Sequence, residues 1–158
     1  MEDLRAARAS RAGRMDRWLG DGGMALLAQI GCSIERYGDD AAGTVGAVEP
    51  GWCEGSWVVA ALACNPHGVV QAGVHSVVLD AAMNFAVNAG LEGRDRTRAT
   101  LEMKVDCLTA ARRGQALRFR GVVTRAAGQV AFAEARVEAL NGVPVSRATG
   151  TFLLVREG

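Results

Sequence analysis

Asn65–Gly90, NPHGVVQAGVHSVVLDAAMNFAVNAG, reads as a glycine-punctuated loop running into one long helix. At 3.6 residues per turn, Val74, Val77, Val78, Ala81 and Phe85 form a broad apolar face, which Leu79, Ala82, Ala86 and Ala89 carry round the back. A helix so nearly apolar all round is predicted to be buried. Leu, Ala and Met favour helix, Gly73 falls in the first turn where glycine is tolerated, and Gly90 is expected to stop the helix. The remaining chain then reads as sheet wrapped around it.

The polar exceptions cluster. With Asp80 at zero, Gly73 lies at about +20°, Asn84 at about +40° and Ser76 at about −40°. The carboxylate therefore looks along a narrow stripe of small or polar residues. An unpaired carboxylate on a core helix costs enough that it needs a partner, a hydrogen-bond network or a catalytic use. A structural aspartate bonded to a neighbouring strand or subunit satisfies the same demand, so this helix alone leaves the two readings open.

Asn65, Gly68, the Gln71-Ala72-Gly73 turn and Leu79-Asp80 resemble, in order and spacing, a pattern of the hotdog-fold acyl-CoA thioesterases of the phenylacetate-pathway type. That pattern is N-x-x-G-x-x-H-G-G followed by a helical L-x-D or A-D. The resemblance runs on through the Arg-Gly turn, the A-G-Q hairpin and the closing A-T-G-T-F, and covers roughly residues 42–155. Gln71 stands where the family has His, and Ala72 where it has the first Gly. Glutamine keeps a donor but removes a titratable group, and Ala72 can offer its backbone N–H as glycine does if its φ is negative.

Composition bounds the rest. A chain of 158 residues, 49% hydrophobic, suits one domain with a real core. It has no long uninterrupted apolar run, no signal-like apolar core at its start, and a formal charge of +1. No nucleic-acid partner, no membrane partner and a cytoplasmic location are therefore expected. Cys32, Cys53, Cys64 and Cys107 form no C-x-x-C pair, so free thiols are expected. Cys64 with His67 fits neither a closed tetrahedral zinc motif nor a convincing nucleophile pair, and no metal is expected.

In chain order, residues 1–19 read as an Ala- and Arg-rich helix. Its arginines at positions 5, 8, 11, 14 and 17 advance by about 60° each and so spiral around it instead of forming a basic face. A helical extension over 1–30 and a single domain over 31–158 are expected. MALLAQIG reads as a short helix or turn, and Ala42–Glu49 and Gly55–Ala63 as two strands. Trp52 and Trp57 suit core or subunit contact better than a substrate wall. Thr100–Leu108 alternates, with Leu101, Met103, Val105 and Cys107 on one face and Thr100, Glu102, Lys104 and Asp106 on the other. Turns at 111–114, 127–128 and Asn141-Gly142 separate three further strands of an antiparallel meander, the last turn with a tight-hairpin signature. The fold class is α+β, one buried helix wrapped by a curved antiparallel sheet of five to six strands. The resemblance names it hotdog.

The resemblance also implies an activity, hydrolysis of an acyl-CoA thioester. Asp80 would be the catalytic carboxylate, as base or as nucleophile, and the N–H groups of Ala72 and Gly73 the oxyanion donors at the helix start, with Gln71 beside them. Asn65 matches the family's asparagine, which faces the carboxylate from the other subunit. Thr100 falls near a hydroxyl that orients water in some relatives, and otherwise reads as a surface strand residue. Arg112 and Arg113, or Arg94, Arg96 and Arg98, are candidates by location for coenzyme A phosphates. Coenzyme A enters as part of the substrate, and no separate cofactor is expected. Open sheet edges and the family habit predict a homodimer or homotetramer with sites at the interface. Two other readings stay open: an acyl-CoA or small-ligand binding module, suggested by Gln71, and a dehydratase or hydratase in which His67 would meet Asp80 of a partner.

Overall fold

Ala72–Gly90 forms the long helix, here α2, with ten of its side chains buried. A six-stranded antiparallel sheet curves around it: β1 Cys32–Gly38, β2 Trp52–Val58, β3 Arg96–Cys107, β4 Ala116–Ala127, β5 Val130–Ala139 and β6 Pro144–Val155. The strand order is β1-β2-β4-β5-β6-β3. This computed structural model describes residues 15–20, 24–39 and 51–157. The arginines at positions 5, 8, 11 and 14 and the expected strand Ala42–Glu49 lie outside the described residues. α1, Ala25–Ile30, is the short helix expected within MALLAQIG, and it sends Leu27 and Ile30 into the same core as α2.

Register explains why the helix fits. Cys53, Gly121, Ala135, Ala148 and Val105 stand opposite one another across five strands, and the first four are buried. This row of mostly small inward residues makes a trough, flanked by the larger Leu117, Phe119, Phe152 and Leu154. At Gly121 the approach is so close that a Cβ would lie 2.2 Å from the Ala82 carbonyl oxygen. Cys53 Sγ donates to that same oxygen at 3.1 Å. Trp57 belongs to the core, fully buried, with Nε1 donating to the Ile30 carbonyl at 2.8 Å.

Several local expectations change. The second expected strand starts earlier, at Trp52, and gives way to a 3-10 turn at Ala61–Ala63. CSIERYG, for which the sequence pattern predicts no element, is strand β1. β4, β5 and β6 form the meander, but β3 pairs with β6 at the far edge, so the chain crosses the sheet between β3 and β4. Gly90 ends α2 without a left-handed conformation, and Leu91 continues in extended geometry at φ −84°, ψ 151°. At Asn141-Gly142 only the glycine has positive φ, 86°, so the hairpin is a four-residue loop instead of a two-residue turn.

β3 is the informative departure. Thr100 pairs with Phe152 and Glu102 with Thr151, which leaves Leu101 as an extra residue in a β-bulge. The bulge breaks the two-residue period, so Thr100 shares the inner face with Met103 and Val105. Leu101, expected on that face, is instead 57% exposed. A second bulge between Thr97 and Ala99 keeps Thr97 inward as well.

Candidate active site

The loop before α2 is built on Asn65. Its side-chain Oδ1 accepts from the backbone N–H of His67 at 3.0 Å and of Val69 at 3.2 Å, and Gly68 closes the turn at φ 75°, a conformation that favours glycine. The chain then delivers Gln71 to the helix N-cap with its side chain making no capping bond. Gln71, Ala72 and Gly73 are all exposed. Ala72 has negative φ, as every non-glycine described residue does, so its N–H can point outward as a glycine's would. Val74 N–H donates to the Gln71 carbonyl at 2.9 Å, whereas those of Ala72 and Gly73 find no acceptor among the described residues.

Two turns further along, Asp80 is half-buried on the side of α2 that faces the bulge of β3. Thr100 Oγ1 donates to its Oδ1 at 2.8 Å. The bulge thus turns the hydroxyl of Thr100, which remains exposed, toward the carboxylate. Asp80 is less buried than the apolar helix suggested, because β3 is an edge strand and the seam between it and α2 opens toward solvent.

The seam continues from Asp80 along the helix. Thr97 Oγ1 donates to Asn84 Oδ1 at 2.6 Å, Asn88 Nδ2 donates to the same oxygen at 2.9 Å, and Asn88 Oδ1 accepts from Thr97 N–H at 3.1 Å. Asn88 and Thr97 were not singled out from the sequence. The signal that could have found Asn88 is the i, i+4, i+8 spacing of Asp80, Asn84 and Asn88 on one helical stripe.

Elsewhere, the structure separates what the sequence left together. Asn65 and Asp80 make no hydrogen bond with each other, and the start of α2 is about 12 Å from Asp80 by helical rise. His67 is exposed on the Asn65 loop. His75 is buried on the opposite side of α2, where Nδ1 meets Ser146 Oγ at 3.0 Å and the ring sits edge-on to Trp57. Burial lowers its pKa. Ser146, with no local pattern around it, carried no sequence signal. Cys32 and Cys53 are buried and their thiols are pushed up to about 12. Among the described residues no cluster of three His, Cys, Asp or Glu side chains could hold a metal ion, and no helix is long and apolar enough to cross a membrane.

The arginine candidates divide by place. Arg112 and Arg113 are exposed in a turn that packs on the Asn65 loop, where Arg113 N–H donates to the Gly68 carbonyl at 3.0 Å. They therefore stand near the start of α2. Arg96 Nη1 is paired with Glu157 at 2.6 Å, and Arg94 and Arg98 are exposed.

No protein-family model and no curated protein matches the sequence. Solved structures do. A protein from Ralstonia eutropha described as a candidate thioesterase related to phenylacetic acid degradation is 26% identical, with 89% of this chain and 98% of that one covered at a TM-score of 0.70. The chain has the hotdog fold. The PaaI protein of the Escherichia coli phenylacetic acid degradation operon shares that fold at 17% identity and TM-score 0.67, with 90% and 94% of the two chains covered. So does a hypothetical thioesterase from Streptococcus pneumoniae, solved with coenzyme A, at 18% identity and TM-score 0.66 over 82% and 90%. Further structures of the pneumococcal protein carry an aspartate or a threonine replaced by alanine. The likeness to phenylacetate-type proteins first visible between Asn65 and Asp80 therefore extends over the hotdog sheet and helix.

Proposed function

We propose that the chain hydrolyses an acyl-CoA thioester in the cytoplasm, with Asp80 as the group that acts on water or on the thioester carbon. The observation that carries this reading is the Asp80 carboxylate, one oxygen held by Thr100 at 2.8 Å, in a seam open to solvent. Fixing Oδ1 leaves Oδ2 for chemistry. As a base, it takes a proton from a water whose oxygen bonds to the carbonyl carbon; the C–S bond then breaks and the coenzyme A thiolate takes up the proton. As a nucleophile, it would form an anhydride that water opens. A single turnover in heavy-oxygen water that labels Asp80 itself identifies the anhydride route, with water opening it at the aspartyl carbon, because general-base catalysis places the label only in the released acid.

The developing oxyanion needs donors about 3 Å from it, and the bare N–H groups at Ala72 and Gly73 suit that task by type and by helix dipole. They are too far along the axis from Asp80 of the same chain to share one thioester with it. A second copy, its helix start beside this Asp80, would complete the site and bring its own Asn65 and Gln71 loop. The open edge of β3 offers a place for such pairing. Arg112 and Arg113, beside the same loop, would then meet the phosphates of coenzyme A. The coenzyme A-bound relative of the same fold supports that substrate class.

The test is thiol release from short, branched, aromatic and long acyl-CoAs. Wild type is expected to turn over at least one, and Asp80→Asn to lower kcat by about 10² to 10⁴. Thr100→Val is expected to lower kcat by about tenfold, with Thr100→Ser restoring it. Full turnover by Asp80→Asn would discard the mechanism. Tight binding of an intact acyl-CoA with no thiol release would replace it with the binding-module reading.

A further inference from the structure

A cavity of about 130 Å³ opens one helical turn beyond Asp80. Met15, Trp18, Met24 and Phe85 form its apolar walls. Its polar lining is Arg17, Asn84, Asn88, Arg96 and Thr97, with no carboxylate among the lining residues. Asn84 sits at i+4 from Asp80 on the same stripe, about 6 Å along the axis. The cavity therefore lies where the tail of an acyl group would run if its carbonyl stood beside Asp80.

Three features define what that tail is. The first is size: a cavity of about 150 Å³ holds a six-carbon ring, so this one takes roughly five to seven non-hydrogen atoms, the length of a glutaryl or adipyl tail beyond its thioester carbonyl, and is too small for a long fatty chain. The second is Asn84. Two donors, Thr97 Oγ1 and Asn88 Nδ2, claim its Oδ1 and so set the amide orientation. Its Nδ2 then remains a donor at the cavity wall with no acceptor among the described residues. The third is charge. Two arginines, both exposed, are among the lining residues; Arg96 is held by Glu157, which is outside the cavity, while Arg17 lies over the Trp18 ring and has no carboxylate partner among the described residues. A half-buried amide donor beside two guanidiniums in a partly apolar wall favours an anionic oxygen over an alkyl end and repels a cation.

We propose that this cavity is the acyl-tail site and that its occupant is a short acyl group ending in a carboxylate, the coenzyme A ester of a dicarboxylic acid of about five or six carbons. The proposal rests on the thioesterase reading. Asn84 and Arg17 are specificity-determining residues in it, Asn84 as donor to the tail carboxylate and Arg17 as its counter-charge.

The test compares glutaryl- and adipyl-CoA with pentanoyl- and hexanoyl-CoA, matched in chain length, by thiol release. The kcat/KM of each dicarboxylic ester is expected to exceed its alkyl counterpart by tenfold or more, with dodecanoyl-CoA poorer than either. Asn84→Asp and Arg17→Glu are expected to cut the ratio of dicarboxylic to alkyl ester at least tenfold. That ratio is read on one enzyme preparation, so partial misfolding does not mimic it. Thiol release with no preference for the carboxylate, or a ratio unmoved in both variants, overturns the proposal and leaves thioester hydrolysis standing. If no ester is hydrolysed, the thioesterase reading falls instead. Calorimetry with non-hydrolysable thioether analogues, S-(4-carboxybutyl)- against S-pentyl-coenzyme A, then decides the cavity's preference directly: equal affinities overturn it, and a tenfold advantage for the carboxylate supports it.

Discussion

His75 and Ser146 form a buried polar pair behind the helix, with the imidazole 3% exposed and the hydroxyl fully enclosed. Their 3.0 Å bond satisfies one ring nitrogen, and Trp57 covers the ring edge-on. Burial disfavours the imidazolium, so the folded chain holds His75 neutral with a pKa below its ordinary 6.5. The unfolded chain takes up that proton first as pH falls. Stability is therefore full above about pH 6.5 and is lost as pH drops toward the lowered folded value. Urea midpoints measured between pH 7.5 and 5.5 should fall for wild type and stay nearly flat for His75→Gln, a window in which carboxylates contribute little. A flat wild-type profile would mean that the buried ring accepts a proton without penalty.

At the scale of elements, the trough beneath α2 sets the tightest tolerance. A methyl group at Gly121 would meet the Ala82 carbonyl oxygen at 2.2 Å, and both neighbours are backbone, so neither can swing aside. Gly121→Ala is expected to destabilise the fold by about 3 kcal/mol, seen as a lower denaturant midpoint at unchanged slope. Gly73→Ala, where the added Cβ meets nothing within 4 Å, should leave stability unchanged or raise it by up to about 1 kcal/mol. The same two glycines show where sequence reading succeeds and fails. The helix, its polar stripe and the loop from Asn65 to Gly73 were legible because they depend on local period and turn chemistry. Gly121 carried no signal, since its role exists only once β4 is registered against β2, β5 and the helix. β3 failed for a related reason: strict alternation faced Thr100 away from the helix, and a single extra residue, Leu101, turned its hydroxyl toward Asp80 while leaving it exposed. The hydroxyl at Asp80 was thus suggested by resemblance and given its geometry by a bulge that no periodicity could reveal.

At the scale of the whole molecule, the distances along α2 demand a second copy if the proposed chemistry is right. The donors at Ala72 and Gly73 and the backbone of Asp80 lie about 10 to 12 Å apart along one rigid helix, whereas the reacting atoms of a thioester must meet within about 3 Å. Two helices related by a twofold axis would solve this, each lending its start to the other's Asp80, and the symmetry would make two equal sites. Such sharing has a signature that no single-chain arrangement reproduces. Asp80→Ala and Asn65→Ala are each expected to be nearly inactive alone. When the two are unfolded together and refolded, half of the dimers are mixed. Each mixed dimer has one site that draws Asp80 from one chain and Asn65 from the other, and one site that lacks both. About a quarter of wild-type activity should therefore return. If Asp80 and Asn65 served the same site from one chain, every site in the mixture would lack one of them, and the refolded sample would stay as inactive as its parents.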